Sequence, residues 1–581
     1  EIARKNGTRV MGPNTMGVIN AFDHFSSAFV DIPDDLTPPP LSLIAQSGVF
    51  QAGFESFTGR FGKGVDIGNG SDVDFVDFLD YFENDPQTQI IVIHMEGMMR
   101  GRKFLETAAR VGRKKPIIVF KTGRSEAGAK AALSHTGSLV GEDEIFDLAF
   151  ERAGIIRVRS MIELKAVCQA FINFQTMAGP NVAVVTATGA CGIMTADACE
   201  DYGLRLAPFT EEIREKLEDP HISWHHLHNP VDIWPLGMVS GSFVNVLKDA
   251  FKGLLKDSRV HAAFAIAPVM ASPLHEDLHM LTAVQEIQSE NTERKPLAFW
   301  IYGDGAAEHR EVLNGEPGVA CFKSIDEAMM GLAGMWRYEK FRREEIAKDQ
   351  FVTVPRASGG RVALPERGLV VDESAFELLR HYKIPLVPGE LTHDVQSAVF
   401  TAQHMGYPVV IKIISPQWLH KSDQGGVYLD IGSPAELESK YSALKNLFHR
   451  KTPDGQLSGI LVQQQIRGIE LLFGIKQDPQ FGPVLVVGMG GVYTEIFKDV
   501  ARGIAPVNRA EAEAMIRSLR IYPILEGVRG QKGVHLPALV DILESLSQIT
   551  LDYPQITELD LNPVLANENG CRCVDCRIIL G

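Results

Sequence analysis

The sequence predicts an α/β protein with several domains. Short apolar runs such as Leu41–Ala45, Ile90–Met95 and Val182–Thr186 have the length and composition of buried parallel strands. Segments with helical spacing follow these runs, and glycine-containing turns stand between strand and helix. A chain of 581 residues, of which 45% are hydrophobic, is long enough to build more than one core.

The composition excludes several classes of protein. A formal net charge of −16 argues against a protein that coats nucleic acid. No apolar run is long enough for a membrane span, and no signal peptide is visible. Seven cysteines in so long a chain are not a disulfide framework, so we expect a cytoplasmic protein. Alternation along the C-terminal strand separates Cys576 from Cys571 and Cys573, which disfavours a shared metal ion.

The first strand–turn–helix unit predicts an anion site. Leu41–Ala45 is followed by Gln46, Ser47 and Gly48 and then by a helical run, so backbone N–H groups at the helix start are free to bind an anion. Taken alone, this turn favours a simple Ser N-cap over an anion site. Ile90–Met95 ends at Glu96. Because ligands of open parallel sheets bind at the carboxyl ends of strands, we expect Glu96 near this turn.

The loop Lys121–Gly141 follows a predicted strand, Pro116–Phe120, and precedes a predicted helix. It is rich in glycine and alanine and carries one titratable nucleophile, His135. A neutral imidazole nitrogen can accept a phosphoryl group and pass it on, and the Glu96 carboxylate can fix the ring tautomer. A capped surface turn with a structural histidine is the alternative that the loop alone leaves open.

A second α/β unit begins near Asn181. Thr188–Met194 is a turn that contains Gly189 and Gly192 and leads into a predicted helix from Thr195, which gives a second anion site without a complete dinucleotide fingerprint. Further along, the segment 221–235 contains four histidines and two tryptophans, which predicts a pocket wall. The histidine spacing fits no standard zinc signature.

The last part of the chain differs in texture. The charged stretch 336–367 has little periodicity and predicts a linker. After it, the strand Pro408–Ile414 carries Lys412, which needs an anionic partner if it is buried. Gly425 and Gly426 form a turn whose N–H groups can cover phosphates.

Oxygen ligands for a cation are also predicted here. A strand that includes Gln464 precedes a second strand with Glu470. Asn562, in the motif Asp560-Leu-Asn-Pro563, and Asp575 are expected on two successive strands. Such a pair can hold Mg²⁺, which keeps several waters and takes few protein ligands.

These motifs stand in an order that resembles one family. The chain resembles the ADP-forming acyl-CoA synthetases, the acetyl-CoA synthetase relatives of succinyl-CoA synthetase, over nearly its whole length. The matching motifs are Gly12-Pro-Asn14, Gln46-Ser-Gly48, Glu96-Gly97, Ser134-His-Thr-Gly137, Asn229-Pro-Val-Asp232, Lys412, His420-Lys-Ser-Asp-Gln-Gly-Gly426, Asp478-Pro-Gln-Phe-Gly-Pro483, Gly488-Met-Gly-Gly491 and Asp560-Leu-Asn-Pro563.

The resemblance implies two flavodoxin-like CoA-ligase domains and a C-terminal ATP-grasp domain, preceded by the tail of a Rossmann-like CoA-binding domain. The implied boundaries are 1–22 for that tail, with an upstream domain missing, 23–170 for the domain with the phosphohistidine loop, 171–345 for the second CoA-ligase domain, 346–367 for the linker and 368–581 for the ATP-grasp domain.

The resemblance also implies residue roles. His135 is the expected phosphohistidine, with Glu96 as its partner and His420 as a second relay. The remaining expected contacts are phosphate binding by Gln46, Ser47, Gly48, Gly189 and Gly192, ATP binding by Lys412, Gly425, Gly426, Gln464 and Glu470, and Mg²⁺ binding by Asn562 and Asp575. The chain departs from its relatives at Gln464, where a Glu is usual, at the less glycine-rich turn 188–192, and at Trp234.

The implied reaction is the ATP-dependent, ADP-forming ligation of CoA to a small carboxylic acid through an acyl phosphate, in a cytoplasmic homo-oligomer without nucleic-acid or membrane partners. One alternative is a ligase for dimethylsulfoniopropionate that also eliminates dimethyl sulfide, with an acyl pocket of Trp224, Trp234 and a base, Glu276. Others are a sensor of CoA metabolites and a plain nucleotide- or CoA-binding module.

Overall fold

The structure is a computed structural model that describes residues 2–29, 31–32, 37–128, 130, 142–209, 214–215, 217, 227–269, 280–347, 361–371, 373–418, 421, 423–491 and 499–581. The chain divides into two units, Glu1–Gln350 and Phe351–Gly581. No helix among these described residues is both long enough and apolar enough to cross a membrane.

The first sheet of the N-terminal unit is mostly parallel. Its strands, as described, are β1 (Gly17–Asn20), β2 (Phe25–Ser26), β3 (Leu41–Ala45), β4 (Lys63–Asp66), β5 (Ile90–Met95), β6 (Ile117–Lys121) and β7 (Ile156–Val158), in the order β2-β1-β4-β3-β5-β6-β7. Strands β3 to β7 are parallel, whereas β1 runs antiparallel to β4. Part of the segment expected to be a domain tail, β1, thus belongs to this sheet. The helices are Ile2–Lys5, Val49–Ala52, Phe54–Phe57, Phe75–Asn84, Gly101–Gly112, Asp143–Arg152 and Met161–Asn173.

The second sheet of this unit is parallel throughout its described strands. These are β8 (Asn181–Thr186), β9 (Arg205–Leu206), β10 (Val231–Asp232), β11 (Ala262–Pro268), β12 (Leu297–Tyr302) and β13 (Val319–Phe322), in the order β10-β8-β11-β12-β13 with β9 beside the start of β8. Both faces are buried, because Val182 and Val184 enter one apolar cluster while Ala183 and Val185 enter another. The helices are Gly189–Asp201, Trp234–Ser240, Phe243–Lys256, Met280–Glu290, Ala306–Asn314 and Ile325–Ala347.

The expectation of a linker from Trp336 onward is wrong for its first part. Helix Ile325–Ala347 continues through this stretch. Its glycines let it approach helix Met161–Asn173 closely, since a Cβ on Gly331 would lie 3.0 Å from that of Ala170. Farther along, Phe341 packs on Gly154. The apolar residues of this helix face different neighbours along its length and form no single stripe. The sequence therefore lacks the helical periodicity that would have predicted it.

The C-terminal unit contains two sheets. Its strands are β14 (Gly368–Val370), β15 (Gly389–Thr392), β16 (Val409–Ile414), β17 (Val427–Ile431), β18 (Gly459–Gln464), β19 (Ile469–Asp478), β20 (Gly482–Met489), β21 (Val500–Ile504), β22 (Ile556–Asn567), β23 (Gly570–Cys573) and β24 (Arg577–Leu580). One sheet has the order β14-β24-β22-β19-β20-β21 with β23 beside β22, and the other has the order β15-β18-β16-β17. The helices are Glu373–His381, Val395–Met405, Pro434–Lys451, Arg509–Arg517, Tyr522–Glu526 and Leu536–Asp552.

Candidate active site

Three strand ends of the first sheet lie side by side. Strands β3, β5 and β6 are parallel neighbours, with Ala45 opposite His94 and Met95 opposite Lys121. The residues that follow β3 and β5, Gln46 and Glu96, therefore lie at one edge of the sheet. This is the edge at which parallel α/β sheets bind ligands.

The turn after β3 is held by a side chain and not by a serine cap. Helix Val49–Ala52 has Gly48 as its N-cap residue, without a side-chain cap. Gln46 is buried, and its Oε1 accepts the backbone N–H groups of Glu96 at 2.6 Å and Gly97 at 3.1 Å. A Cβ on Gly48 would overlap with the Sδ of Met16, so a larger residue here requires the Met16 side chain to move. The Gln46 side chain thus holds the Glu96 segment.

A buried lysine holds the same segment from the other side. Lys121 is 2% exposed, and its Nζ donates to the carbonyl of Glu96 at 2.8 Å and to that of Thr122 at 2.5 Å. Burial lowers the pKa of Lys121 to about 8. Sequence reasoning missed this residue because it assigned Lys121 to the loop, whereas Lys121 is the last residue of β6.

His94 on β5, two residues before Glu96, is a core histidine. Its ring stacks on Phe50 with 4.0 Å between centroids, and its Nε2 lies 3.3 Å from Thr122 Oγ1. Burial, and then the charge of Lys121, lower the pKa of His94 to about 3. The ring therefore stays neutral near pH 7 and adds no charge to the site.

Four residues predicted for the site lie outside the described residues: His135, His420, Trp224 and Glu276. Their predicted roles stay predictions. Glu96 and the strand end at Lys121, from which the His135 loop departs, are both described.

The second predicted anion site is the first turn of a helix. Helix Gly189–Asp201 begins at Gly189, so the expectation of a helix start at Thr195 is wrong. Gly192 lies close under Pro230, and a Cβ on Gly189 would lie 3.2 Å from Asp232 Oδ2. The motif Asn229-Pro-Val-Asp232 therefore stands directly beside this helix start.

Trp234 is connected to the same helix start through Asp232. Its backbone N–H donates to Asp232 Oδ1 at 3.0 Å. Its ring lies 5.0 Å from that of Phe243, centroid to centroid, and the residue is 36% exposed. An exposed indole near a helix N-terminus is compatible with an acyl pocket wall.

In the C-terminal unit, two lysines converge on one carboxylate. Lys412 on β16 is buried, donates to the carbonyl of Val574 at 2.6 Å and lies 3.9 Å from Asp575 Oδ2. Lys421 donates to Asp575 Oδ2 at 2.6 Å. Burial would raise the pKa of Asp575, but the two lysines hold it below its usual value. Burial lowers the pKa of Lys412 to about 8.

The predicted magnesium ligands are placed differently from expectation. Asn562 is exposed on β22, but Asp575 lies in the turn between β23 and β24 and not on a strand. The two segments are adjacent, since the N–H of Val574 donates to the carbonyl of Pro563 at 3.0 Å. The carboxylate and amide oxygens fit Mg²⁺, although Lys421 occupies one carboxylate oxygen and the N–H of Cys576 donates to the other at 3.1 Å.

The other predicted ATP contacts are only partly available. Gly425 has φ +75°, as its turn requires, but the N–H of Gly426 donates to the carbonyl of Lys421 at 2.7 Å. Gln464 and Glu470 are exposed.

The buried neighbour of Gln464, Gln463, was missed. Its Nε2 shares the carbonyl of Val574 with Lys412, at 3.3 Å, while its Oε1 has no partner among the described residues. Gln463 pairs with Val410, two residues before Lys412, so both side chains lie on one face of the sheet; this register is decided by the tertiary structure.

Comparison with known proteins decides the family. The family model of the ATP-grasp domain matches residues 362–580, and that of the succinyl-CoA ligase like flavodoxin domain matches residues 38–171. Acetate–CoA ligase [ADP-forming] I of Archaeoglobus fulgidus is 35% identical over 590 residues, which span 100% of this chain and 83% of that protein. The chain belongs to the ADP-forming acid–CoA ligase family. The family resemblance, the fold class and the assignment as an enzyme are thereby confirmed.

Two further proteins support this ligase assignment. The 4-hydroxybutyrate–CoA ligase [ADP-forming] of Nitrosopumilus maritimus is 33% identical over 595 residues, which span 100% of this chain and 83% of that protein. The structure of acetyl-coenzyme A synthetase 1 from Ca. Korarchaeum cryptofilum in complex with phosphate and ADP has a TM-score of 0.52 at 28% identity. It covers 60% of this chain and 74% of that one.

Proposed function

We propose that this enzyme converts a small carboxylic acid, CoA and ATP reversibly into an acyl-CoA, ADP and phosphate, through a phosphohistidine at His135 and an acyl phosphate. The observation that supports it most directly is the position of Glu96, whose backbone is held at the sheet edge beside the strand end from which the His135 loop departs. The relatives' names, acetate–CoA ligase and 4-hydroxybutyrate–CoA ligase, agree with this reaction.

In the N-terminal unit, the proposed work is to orient the histidine and to stabilise its phosphate. Glu96 accepts the far ring N–H of His135 and selects the tautomer whose other nitrogen attacks phosphorus. Backbone N–H groups at the start of helix Val49–Ala52 and of helix Gly189–Asp201 face the phosphate, and Lys121 adds a positive charge nearby.

In the C-terminal unit, the proposed work is to bind ATP. Lys412 and Lys421 exchange Asp575 for phosphate oxygens when the nucleotide arrives, which requires only that each ammonium change its anionic partner. Asn562 and Asp575 would hold Mg²⁺, which would supply positive charge to the phosphates. Gly425, Gln464 and Glu470 complete the proposed nucleotide contacts, whereas the N–H of Gly426 is occupied by the carbonyl of Lys421, and His420 relays the phosphoryl group.

The proposed substrate is a short acid with Trp234 at the mouth of its pocket. The exposed indole also fits a cationic acid, which keeps the dimethylsulfoniopropionate alternative testable, but the comparisons give that alternative and the sensor no support. We further propose a homo-oligomer in the cytoplasm, in keeping with seven unpaired cysteines.

The test combines an ADP-release screen over carboxylic acids with labelling by γ-³²P ATP. We expect acid-labile, base-stable label on the wild-type chain and its loss in His135→Ala and Glu96→Gln, because one lacks the nucleophile and the other its orienting carboxylate. His404→Ala, at an exposed-surface histidine of helix Val395–Met405, is the control and should label normally. Normal turnover by His135→Ala would refute the mechanism.

A further inference from the structure

We propose that Gln46 and Lys121 are positioning residues that hold the Glu96 peptide from both sides and thereby set the direction of its carboxylate. This inference rests on the proposed role of Glu96. It assigns the two side chains to the backbone of the neighbouring strand end, whereas the sequence predicted Gln46 as a phosphate ligand and overlooked Lys121.

Glu96 lies just beyond the regular part of the sheet. The last parallel pairs of β5 are Ala45–His94 on one side and Met95–Lys121 on the other. One residue farther, the peptide groups no longer have strand partners on both sides. Side chains replace them, with Gln46 Oε1 accepting the N–H of Glu96 at 2.6 Å and Lys121 Nζ donating to its C=O at 2.8 Å.

Burial of the Gln46 and Lys121 side chains costs free energy. A buried ammonium loses hydration free energy that only hydrogen bonds or an opposite charge can offset. An apolar side chain at the end of an apolar strand would avoid this cost. Lys121 lies 4.8 Å from the centre of the Phe146 ring and is surrounded by the charges of Asp143, Arg157 and Glu96. The side-chain carbonyl oxygen of Gln46 likewise accepts hydrogen bonds from two N–H groups of the Glu96 segment.

A second lysine near the other end of β6 makes a comparable contact and serves as an internal control. Lys115 precedes β6 at its opposite end, and its Nζ also donates to two backbone carbonyls, those of Phe82 at 2.5 Å and Asp85 at 2.8 Å. It therefore makes the same kind of contact far along the strand from Glu96. If the contact of each lysine with two backbone carbonyls only stabilises the fold, replacement of Lys121 or of Lys115 should change the melting temperature and the phosphorylation rate in the same way.

The experiment uses the full chain and compares Gln46→Leu, Gln46→Glu, Lys121→Met and Lys115→Met. The rate of phosphohistidine formation from γ-³²P ATP, the KM for ATP and the melting temperature are measured for each. We expect Gln46→Leu and Lys121→Met to slow phosphorylation on the order of 10- to 100-fold with the KM for ATP unchanged, as for other residues that orient a reacting group. Lys115→Met should lower only the melting temperature.

The variant Gln46→Glu separates positioning from direct phosphate binding. A carboxylate still accepts both N–H groups, so it should retain most of the rate if Gln46 positions Glu96. If Gln46 binds phosphate through its amide N–H, the added negative charge makes Gln46→Glu slower than Gln46→Leu, and the inference is overturned.

Two further outcomes are distinguishable. If the wild-type chain forms no phosphohistidine, or if Glu96→Gln labels normally, the proposed function fails and the inference fails with it. If Glu96→Gln is impaired while Lys121→Met behaves like Lys115→Met, the proposed function stands and the positioning inference alone is refuted.

Discussion

Lys412→Met should separate the function of this lysine from its contribution to stability. Methionine keeps the length of the side chain on β16 and removes the ammonium, which donates to the carbonyl of Val574 at 2.6 Å and lies 3.9 Å from Asp575 Oδ2. At that distance the attraction to the carboxylate is about 4 kcal/mol for an effective dielectric of about 20. Lys421 remains on Asp575 in the variant, so the carboxylate keeps a cation.

The expected change in stability is small because two effects oppose each other. Burial lowers the pKa of Lys412 from 10.5 to about 8 in spite of Asp575, and a shift of that size corresponds to about 3 kcal/mol of cost for the charged form. Methionine removes this cost. It also removes a donor from the carbonyl of Val574, which costs about 1–3 kcal/mol, although Gln463 still donates there at 3.3 Å. We therefore expect the free energy of unfolding to stay within about 2 kcal/mol of wild type.

The assay measures urea unfolding of the full chain together with phosphohistidine formation. We expect phosphorylation to fall by about 10²- to 10³-fold, as for the loss of one donor to a reacting oxyanion. Lys445→Met is the control, because Lys445 is an exposed lysine in the middle of helix Pro434–Lys451. Retained phosphorylation with strongly reduced stability would show that Lys412 is structural and would refute the reasoning.

Two further predictions concern Trp234 and His94. Trp234→Ala should raise the KM for the acid by roughly 2- to 30-fold and leave the KM for ATP unchanged, and Trp234→Phe should recover part of the loss. Equal increases in both KM values, together with a large drop in melting temperature, would contradict the assignment of Trp234 to the acyl pocket. The pKa of His94 is about 3 in the folded chain, whereas its ordinary value is 6.5. The contribution of the neutral ring to the free energy of unfolding is therefore complete above pH 6.5. As the pH falls toward 3, up to about 5 kcal/mol of this contribution is lost. His94→Phe should therefore lose less unfolding free energy than wild type between pH 7 and pH 4 in urea titrations; parallel losses would contradict this.

Local patterns predicted most elements of the fold. Leu41–Ala45 and Ile90–Met95 are strands with the predicted bounds, because a buried parallel strand is a short uniform apolar run. The order of turns and helices after them placed Glu96 beside the turn at Gln46. Patterns failed where local signals were weak. Helix Ile325–Ala347 faces several neighbours, and the glycines at the start of Gly189–Asp201 suggested a turn although they form its first helical turn.

The sequence by itself indicated the family and the α/β fold class, since these depend on residue type and local order. Only the tertiary structure decided what several side chains touch. Gln46 binds backbone 50 residues away, and Lys412 binds Val574 across 162 residues. Lys121, Lys421 and Gln463 became candidates through such contacts. The physical reason is that a buried polar side chain needs a hydrogen-bond partner, and the fold decides which residue lies close enough to be that partner. Separation along the chain does not predict this distance.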